Sequence, residues 1–275
     1  MTAMITKTRA LALVLAACFG ASTLPVALAS AVVAAPQDDE EKPDKRPEIK
    51  EALAAFKKHV SKRGDEDVEA IAIIDQMLQE FPESGPKDRK AIAKEIGAVF
   101  KLKRKPSKEN ILDNKLFNAA AIALGRMGPE SVKDLVKWSD HKSFAKNVDV
   151  KCRLIRALGK TEDEDAVDPL IDFLGHHDAQ VQAAAAEGLG NYGGAEQKER
   201  KKIFKKMLDQ LTRVKNAIDV DQVDPIERKR YDIIAGPMLT SLQVLCGNDE
   251  IRDPTEFRRW WNKNKKKDWD EGNKD

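Results

Sequence analysis

Cysteine and aromatic residues are scarce in this chain of 275 residues, which has three cysteines and 5% aromatic residues. No two cysteines stand at the spacing of a zinc or iron–sulfur site, so the sequence predicts no metal centre of that kind. Beyond the N-terminal region only Cys152 and Cys246 remain, each in an apolar, helix-like stretch. Two buried free thiols are the favoured interpretation, and a disulfide between them stays open.

Sequence motifs of catalysis are also missing. The chain has no GxSxG, P-loop or HExxH motif, and its four histidines lack the paired spacing of metal ligands. The glycines Gly188, Gly190 and Gly193 match the dinucleotide fingerprint, but an alanine-rich helical segment precedes them where a strand is required. We therefore predict no catalytic, cofactor-binding or metal-binding residue, and we expect a protein that is not an enzyme.

Charge of one sign is not in excess, because 48 lysines and arginines face 46 acidic residues. Lys7 and Arg9 lie in a segment that export would remove, which leaves equal numbers of the two signs. A balanced chain has no overall attraction to nucleic acid or anionic lipid. Basic clusters such as residues 101–105 and 198–206 are interpreted as solvated helix faces. No nucleic-acid partner is predicted.

The N-terminal region has the pattern of an export signal. Lys7 and Arg9 precede an uncharged stretch over residues 10–35, and a run of acidic residues follows. This order of positive, apolar and small residues is typical of a signal peptide. We predict that residues 1–31 are the signal and that they are removed.

Two alternatives for this region stay open. Leu15-Ala16-Ala17-Cys18 resembles the lipobox of bacterial lipoproteins, which would make residues 1–17 the signal and Cys18 the lipidated first residue. The apolar stretch could also remain uncleaved as a membrane anchor. All three interpretations place the rest of the chain outside the cytoplasm, as a periplasmic or secreted protein or one anchored to the membrane. Membrane contact is predicted only through the N-terminal segment or a lipidated Cys18.

A linker and a helical region follow. Residues 32–47 include an acidic, proline-rich stretch without aliphatic residues, and we predict a disordered linker there. From residue 48 onward apolar residues recur at helical spacing, as at Ile49, Leu53 and Phe56. This spacing predicts helical hairpins over residues 48–105.

The middle of the chain repeats a leucine–glycine pair. The pairs end at Gly125, Gly159 and Gly190, which are 34 and then 31 residues apart, and a fourth stripe ends at Gly247. Before each pair, apolar residues at i, i+4 and i+8 form one stripe of a helix. We expect each glycine to end its helix in the left-handed conformation, and a second apolar helix to follow. The repeating unit is therefore predicted to be a helical hairpin.

These segments resemble a known family. Residues 119–125, 155–159 and 183–190 look like HEAT repeats, and His177-Asp178-Ala179-Gln180-Val181 resembles the turn between such repeats. The resemblance implies an all-α fold, a right-handed α-solenoid of antiparallel helix pairs whose second helices line a concave surface. The predicted boundaries are residues 106–213 for HEAT-like repeats, 214–230 for an insertion, 231–264 for a C-terminal capping repeat and 265–275 for a charged tail. Trp260 and Trp261 are expected to cover the open end of the stack.

The repeat geometry predicts a function. We expect a non-catalytic, exported HEAT-repeat scaffold that binds another protein through its concave helical surface. The candidate contacts are polar positions beside the apolar stripes of the second helices, namely Lys133, Lys137, Asp168, Asp172, Lys202, Lys205, Lys206 and Asp209. Two alternatives stay open: an enzyme accessory similar to the HEAT-like subunits of bilin lyases, and a structural lipoprotein held in the envelope through Cys18.

Overall fold

The structure is a computed structural model that describes residues 42–104, 113–220 and 225–270. The predicted signal peptide, the lipidation site Cys18 and most of the predicted linker lie outside these residues. What was expected of them stays a prediction.

The described residues form eleven α-helices and no strand, which confirms the all-α prediction. The helices are α1 (Pro47–Val60), α2 (Asp67–Glu80), α3 (Pro86–Gly97), α4 (Lys115–Gly125), α5 (Val132–Ser139), α6 (Val148–Lys160), α7 (Glu164–Phe173), α8 (Ala179–Gly190), α9 (Gln197–Val220), α10 (Pro225–Cys246) and α11 (Pro254–Asn264). None of the described helices combines the length and the hydrophobicity that a bilayer crossing needs.

The repeats build two layers that differ in how tightly they pack. Helices α4, α6, α8 and α10 lie side by side and contact their neighbours along much of their length; we call them the close layer. Helices α5, α7 and α9 form the open layer, in which neighbours touch only over short stretches. One continuous hydrophobic core lies between the layers, with leucines of the stripes such as Leu124, Leu158 and Leu189 fully buried.

The repeated glycines have a different role from the predicted one. Gly125, Gly159 and Gly190 keep right-handed helical backbones, so the expected left-handed helix ends are wrong for these three. Only Gly247, with φ of 63°, takes the left-handed conformation at its helix end. The other three allow neighbouring helices of the close layer to approach each other, since each faces the next helix where a side chain has no room.

The contacts at these glycines are tight. A Cβ at Gly125 would lie 3.0 Å from the backbone of Ala157, and a Cβ at Gly159 would overlap the backbone of Gly188. At Gly190 it would lie 2.5 Å from Oγ of Ser241 on α10. Helices therefore approach each other more closely in this layer than in the open layer, where neighbours touch only over short stretches.

The N-terminal boundary of the folded part lies earlier than predicted. Asp44 accepts a hydrogen bond of 2.8 Å from the backbone N–H of Lys87 at the start of α3, and Nη2 of Arg46 lies 2.6 Å from Oε2 of Glu80. Lys42 donates to the carbonyl of Pro82. Polar side chains therefore tie residues 42–46, within the predicted linker, to the body in a way that composition does not reveal.

The predicted insertion over residues 214–230 is largely helical. Helix α9 continues to Val220 and α10 begins at Pro225, while residues 221–224 lie outside the described residues. Beyond Val214 on α9 and before Ile234 on α10 no described residue is fully buried, so the two helices extend past the core.

The C-terminal end of the stack is covered by aromatic residues. The rings of Trp260 and Trp261 each lie 5.4 Å from the ring of Phe204, consistent with the predicted lid. Trp269, in the predicted tail, packs on the same ring at 5.5 Å, and Asp270 pairs with Arg200. Residues 265–270 are thus part of the folded body rather than a free charged tail.

Candidate partner-binding surface

A groove of about 440 Å³ crosses the C-terminal halves of three helices in the close layer. The side chains that define it are Ile122 and Arg126 from α4 and the residue after it, Arg153, Arg156 and Lys160 from α6, and Glu187 from α8. The other grooves described below lie between two helices of the open layer. This groove therefore spans three neighbouring helices of the layer in which the helices pack more closely.

The repeat register explains why these side chains meet. The residue three positions before each repeated glycine is Ile122, Arg156 or Glu187 in successive units, and it points away from the buried stripe. Because the three helices stack in register, these equivalent positions form a row across the layer. The residue after the glycine adds Arg126 and Lys160 at the ends of the helices. A positive side chain at the C-terminal end of a helix is stabilised by the negative end of the helix dipole.

The floor of the groove is made of small residues. Gly125, Ala157 and Gly188 lie where neighbouring helices meet, and they leave room above the backbone. Ile122 stands beside this floor with 41% of its surface exposed, one of few large aliphatic side chains so exposed. The same small residues that bring the helices together therefore also create the groove.

The groove carries more positive than negative charge. Arg156 forms a hydrogen-bonded ion pair with Glu187 of the next repeat. The hydrogen bond to Glu187 raises the pKa of Arg156. Lys160 lies 3.5 Å from Glu162, and both are exposed. Arg126 and Arg153 have no acidic partner among the described residues. The groove thus presents two guanidinium groups whose charge the described chain leaves uncompensated.

The eight residues predicted to bind a partner all lie exposed on the open layer, and their role stays a prediction. Several of them bind each other instead. Nζ of Lys202 lies 2.8 Å from Oδ1 of Asp168, a contact that raises the pKa of Lys202, and Lys205 pairs with Asp209 at 2.7 Å.

The remaining predicted residues are spread over the open layer. Asp172, Lys206 and Asp209 line a groove between α7 and α9. Lys133 and Lys137 lie apart from them on α5, and Nζ of Lys137 is 5.1 Å from the ring centre of Trp138. The structure therefore brings the predicted residues of α7 and α9 together, while those of α5 stand alone.

No group of three or more potential metal ligands is assembled within the described ranges. Nδ1 of His176 accepts a 3.0 Å hydrogen bond from the backbone N–H of Asp178. This ring nitrogen therefore stabilises the turn before α8. Burial lowers the pKa of His176, which favours its neutral form.

Both body cysteines are free and buried, as the favoured interpretation expected. Burial raises the pKa of Cys152 and of Cys246 to about 11. A thiol with such a pKa is almost entirely protonated at neutral pH, and the protonated form is a poor nucleophile.

The glycines Gly188, Gly190 and Gly193 lie in α8 and in the 3₁₀ turn over Asn191–Gly194, not after a strand.

Comparison with known protein families matches residues 143–218 to HEAT repeats. This stretch contains α6, α7, α8 and most of α9, so it holds the central part of the groove. The comparison confirms the resemblance seen in the repeated leucine–glycine pairs, and the chain contains HEAT repeats over these residues. Searches of curated proteins and of solved structures found no match.

The sequence contained a signal for the groove that the repeat pattern did not bring out. Ile122, Arg156 and Glu187 occupy equivalent places in successive repeats, and Arg156 and Glu187 carry opposite charge one repeat apart. Such a pairing predicts neighbouring helices in one layer. The predicted partner surface on the second helices stays a prediction, and this groove lies on the first helix of each predicted hairpin.

Proposed function

We propose that this protein is a non-catalytic scaffold that binds another protein in the groove of the close layer. The observation that carries the proposal is the groove itself, which combines an exposed aliphatic side chain, Ile122, with the unpaired guanidinium groups of Arg126 and Arg153. Exposed apolar surface beside arginine is the composition of protein-binding sites. The proposed binding layer is therefore opposite to the one that carries the residues predicted from the sequence.

Two further properties belong to the proposal. The raised pKa values of Cys152 and Cys246 speak against a thiol nucleophile, which favours binding over the lyase-like alternative. Export rests on the signal-like residues 1–31 in the sequence. We propose a periplasmic or secreted location. The alternative is that a lipidated Cys18 anchors the protein to the membrane.

Photo-crosslinking in the source cell tests both the binding role and the choice of layer. A photoreactive amino acid replaces Ile122 or Lys160 in the groove, and in matched variants it replaces Lys133 or Asp172 on the open layer. All four positions are exposed, so the replacements preserve the core. The proposal expects a discrete protein adduct from the two groove positions and none from the open layer.

The other outcomes each decide a point. Adducts only from Lys133 and Asp172 would show that the open layer binds the partner and would contradict the choice of groove. No adduct from any of the four positions would contradict the scaffold role. The mass of the intact protein, measured on the same samples, separates cleavage near residue 31 from lipidation at Cys18 and from an uncleaved N-terminus.

A further inference from the structure

We infer that the groove of the close layer recognises an acidic peptide segment, with carboxylates on Arg126 and Arg153 and an aliphatic side chain against Ile122. The inference rests on the proposed function and specifies the chemistry of the partner. Its support comes from the charges, burial and floor of the groove.

The charge of the groove points to an acidic ligand. Glu187 compensates Arg156, and Glu162 is the neighbour of Lys160, so the acids near the groove are already engaged with two of its four cations. Arg126 and Arg153 are left. A ligand that supplies two negative groups would complete the charge balance, whereas a basic ligand would meet uncompensated repulsion.

The burial of Arg153 strengthens this argument. Its Nε atom is buried and makes no hydrogen bond to any described residue, although buried donors are nearly always satisfied. Leaving such a donor unpaired destabilises the free protein. A guanidinium binds a carboxylate with two parallel hydrogen bonds, which would use donors of this side chain in one contact.

The apolar part of the groove distinguishes a peptide from other anions. Ile122 is exposed beside the floor formed by Gly125, Ala157 and Gly188, and this surface suits an aliphatic side chain next to the acidic ones. None of the residues that line the groove is aromatic, so it offers no platform for stacking nucleic-acid bases. Its volume of about 440 Å³ holds a few side chains.

Selection from a random-peptide library displayed on phage tests the inference with the purified protein as bait. The expected result is enrichment of peptides that combine aspartate or glutamate with leucine, isoleucine or valine. The best peptide is then synthesised with a fluorescent label, and its dissociation constant is measured by anisotropy. Replacing Arg126 and Arg153 together by glutamate should weaken binding more than about tenfold.

Control variants separate recognition from folding and from general charge. Lys133→Glu with Lys137→Glu makes the same change of charge on exposed residues of the open layer and should leave the affinity within about twofold. Arg126→Gln with Arg153→Gln removes the positive charges without adding negative charge that would repel the peptide. This variant replaces the glutamate variant if the latter unfolds in a thermal melt. This neutral variant should still lose most of the binding.

Several results would overturn the inference. They are failure of the library to enrich any sequence, enrichment of peptides without an acidic excess, or equal loss of binding in the Lys133 and Lys137 control. Displacement of the peptide by single-stranded DNA as effective as by unlabelled peptide would assign the groove to polyanions in general. Groove adducts in the cross-linking experiment together with peptides that lack acids would keep the proposed function and reject this inference alone.

Discussion

The close and open layers are built from the same repeats, yet they differ in what their neighbouring helices touch. In the close layer Gly125 and Gly159 face the backbone of the next helix, and Gly190 faces the side chain of Ser241. In the open layer neighbours are joined by side chains such as Lys202 and Asp168, and grooves remain between them. Small residues thus decide how closely neighbouring helices pack, and one of them, Gly125, also lines the groove of the close layer.

The largest effect should follow from a side chain added where two close-layer helices meet. In Gly159→Ala the new Cβ would overlap the backbone of Gly188, which cannot rotate away. We expect a loss of about 2 to 3 kcal/mol in the free energy of unfolding, measured by urea denaturation, because overpacking outweighs the gain in helix propensity.

Two matched variants sharpen this prediction. Gly175→Ala lies after α7, where the nearest atom to the added Cβ is 3.5 Å away, and it should change stability by less than about 0.5 kcal/mol. Gly188→Ala meets its nearest neighbour at 3.2 Å and should fall between the two. Equal stability of the Gly159 and Gly175 variants would contradict the role of the glycine contacts.

A smaller effect is expected from a polar contact in the close layer. Oγ of Ser241 on α10 donates a buried hydrogen bond of 2.8 Å to the carbonyl of Ala186 on α8. Ser241→Ala should cost about 1 kcal/mol of unfolding free energy, since the carbonyl keeps its bond within the helix. Ser61→Ala provides the control, because its hydroxyl bonds only to its own turn at an exposed site. If Ser241→Ala lowers the free energy of unfolding no more than Ser61→Ala does, the hydrogen bond does not stabilise the close layer.

A still smaller effect is expected from the ion pair between open-layer helices. Side chains of Lys202 and Asp168 are 43% and 77% exposed, so water screens their attraction. A double-mutant cycle with Lys202→Ala and Asp168→Ala should give a coupling of about 0.5 kcal/mol or less at physiological salt. A coupling well above the Ser241 effect would show that the open layer is held together more strongly than its spacing indicates.

The smallest effect concerns pH. His176, in the turn that follows α7, has a lowered pKa, so the unfolded chain binds its proton more readily than the folded one. Stability from this residue is present above the ordinary histidine pKa of about 6.5 and falls as the pH drops through and below it. His176→Gln should flatten the fall in melting temperature between neutral and mildly acidic pH. An unchanged slope would assign the acid sensitivity to other groups.

Much of the fold could be predicted from the sequence because helical stripes are local. The stripe ending at Leu158 and Gly159 indicates a helix, a buried face and a repeat, and the family comparison agrees. The partner helix cannot be obtained in this way. Gly159 looks like a helix stop until Gly188 is seen against it, and Trp269 looks like part of a charged tail until it packs on Phe204.

The candidate site was harder to predict than the fold. Exposed polar residues occur on both layers, and spacing alone does not say which layer carries the groove across three helices. Arg153 illustrates the difficulty, because its position beside an apolar stripe resembles that of Lys133, whereas only the structure shows that its Nε is buried and unpaired. Burial and missing partners arise from contacts between repeats, which no single repeat contains.

Covalent footprinting of the protein with and without its cross-linked partner tests the central claim most directly. An arginine-specific dicarbonyl and a lysine-specific acetylating reagent are applied together, and mass spectrometry gives the modified fraction of each residue. We expect the partner to lower the modified fraction of Arg126 and Arg153 in the close layer. The modified fraction of Lys133 and Lys137 in the open layer should stay unchanged. Protection of Lys133 and Lys137 with unchanged modification of Arg126 and Arg153 would contradict this claim.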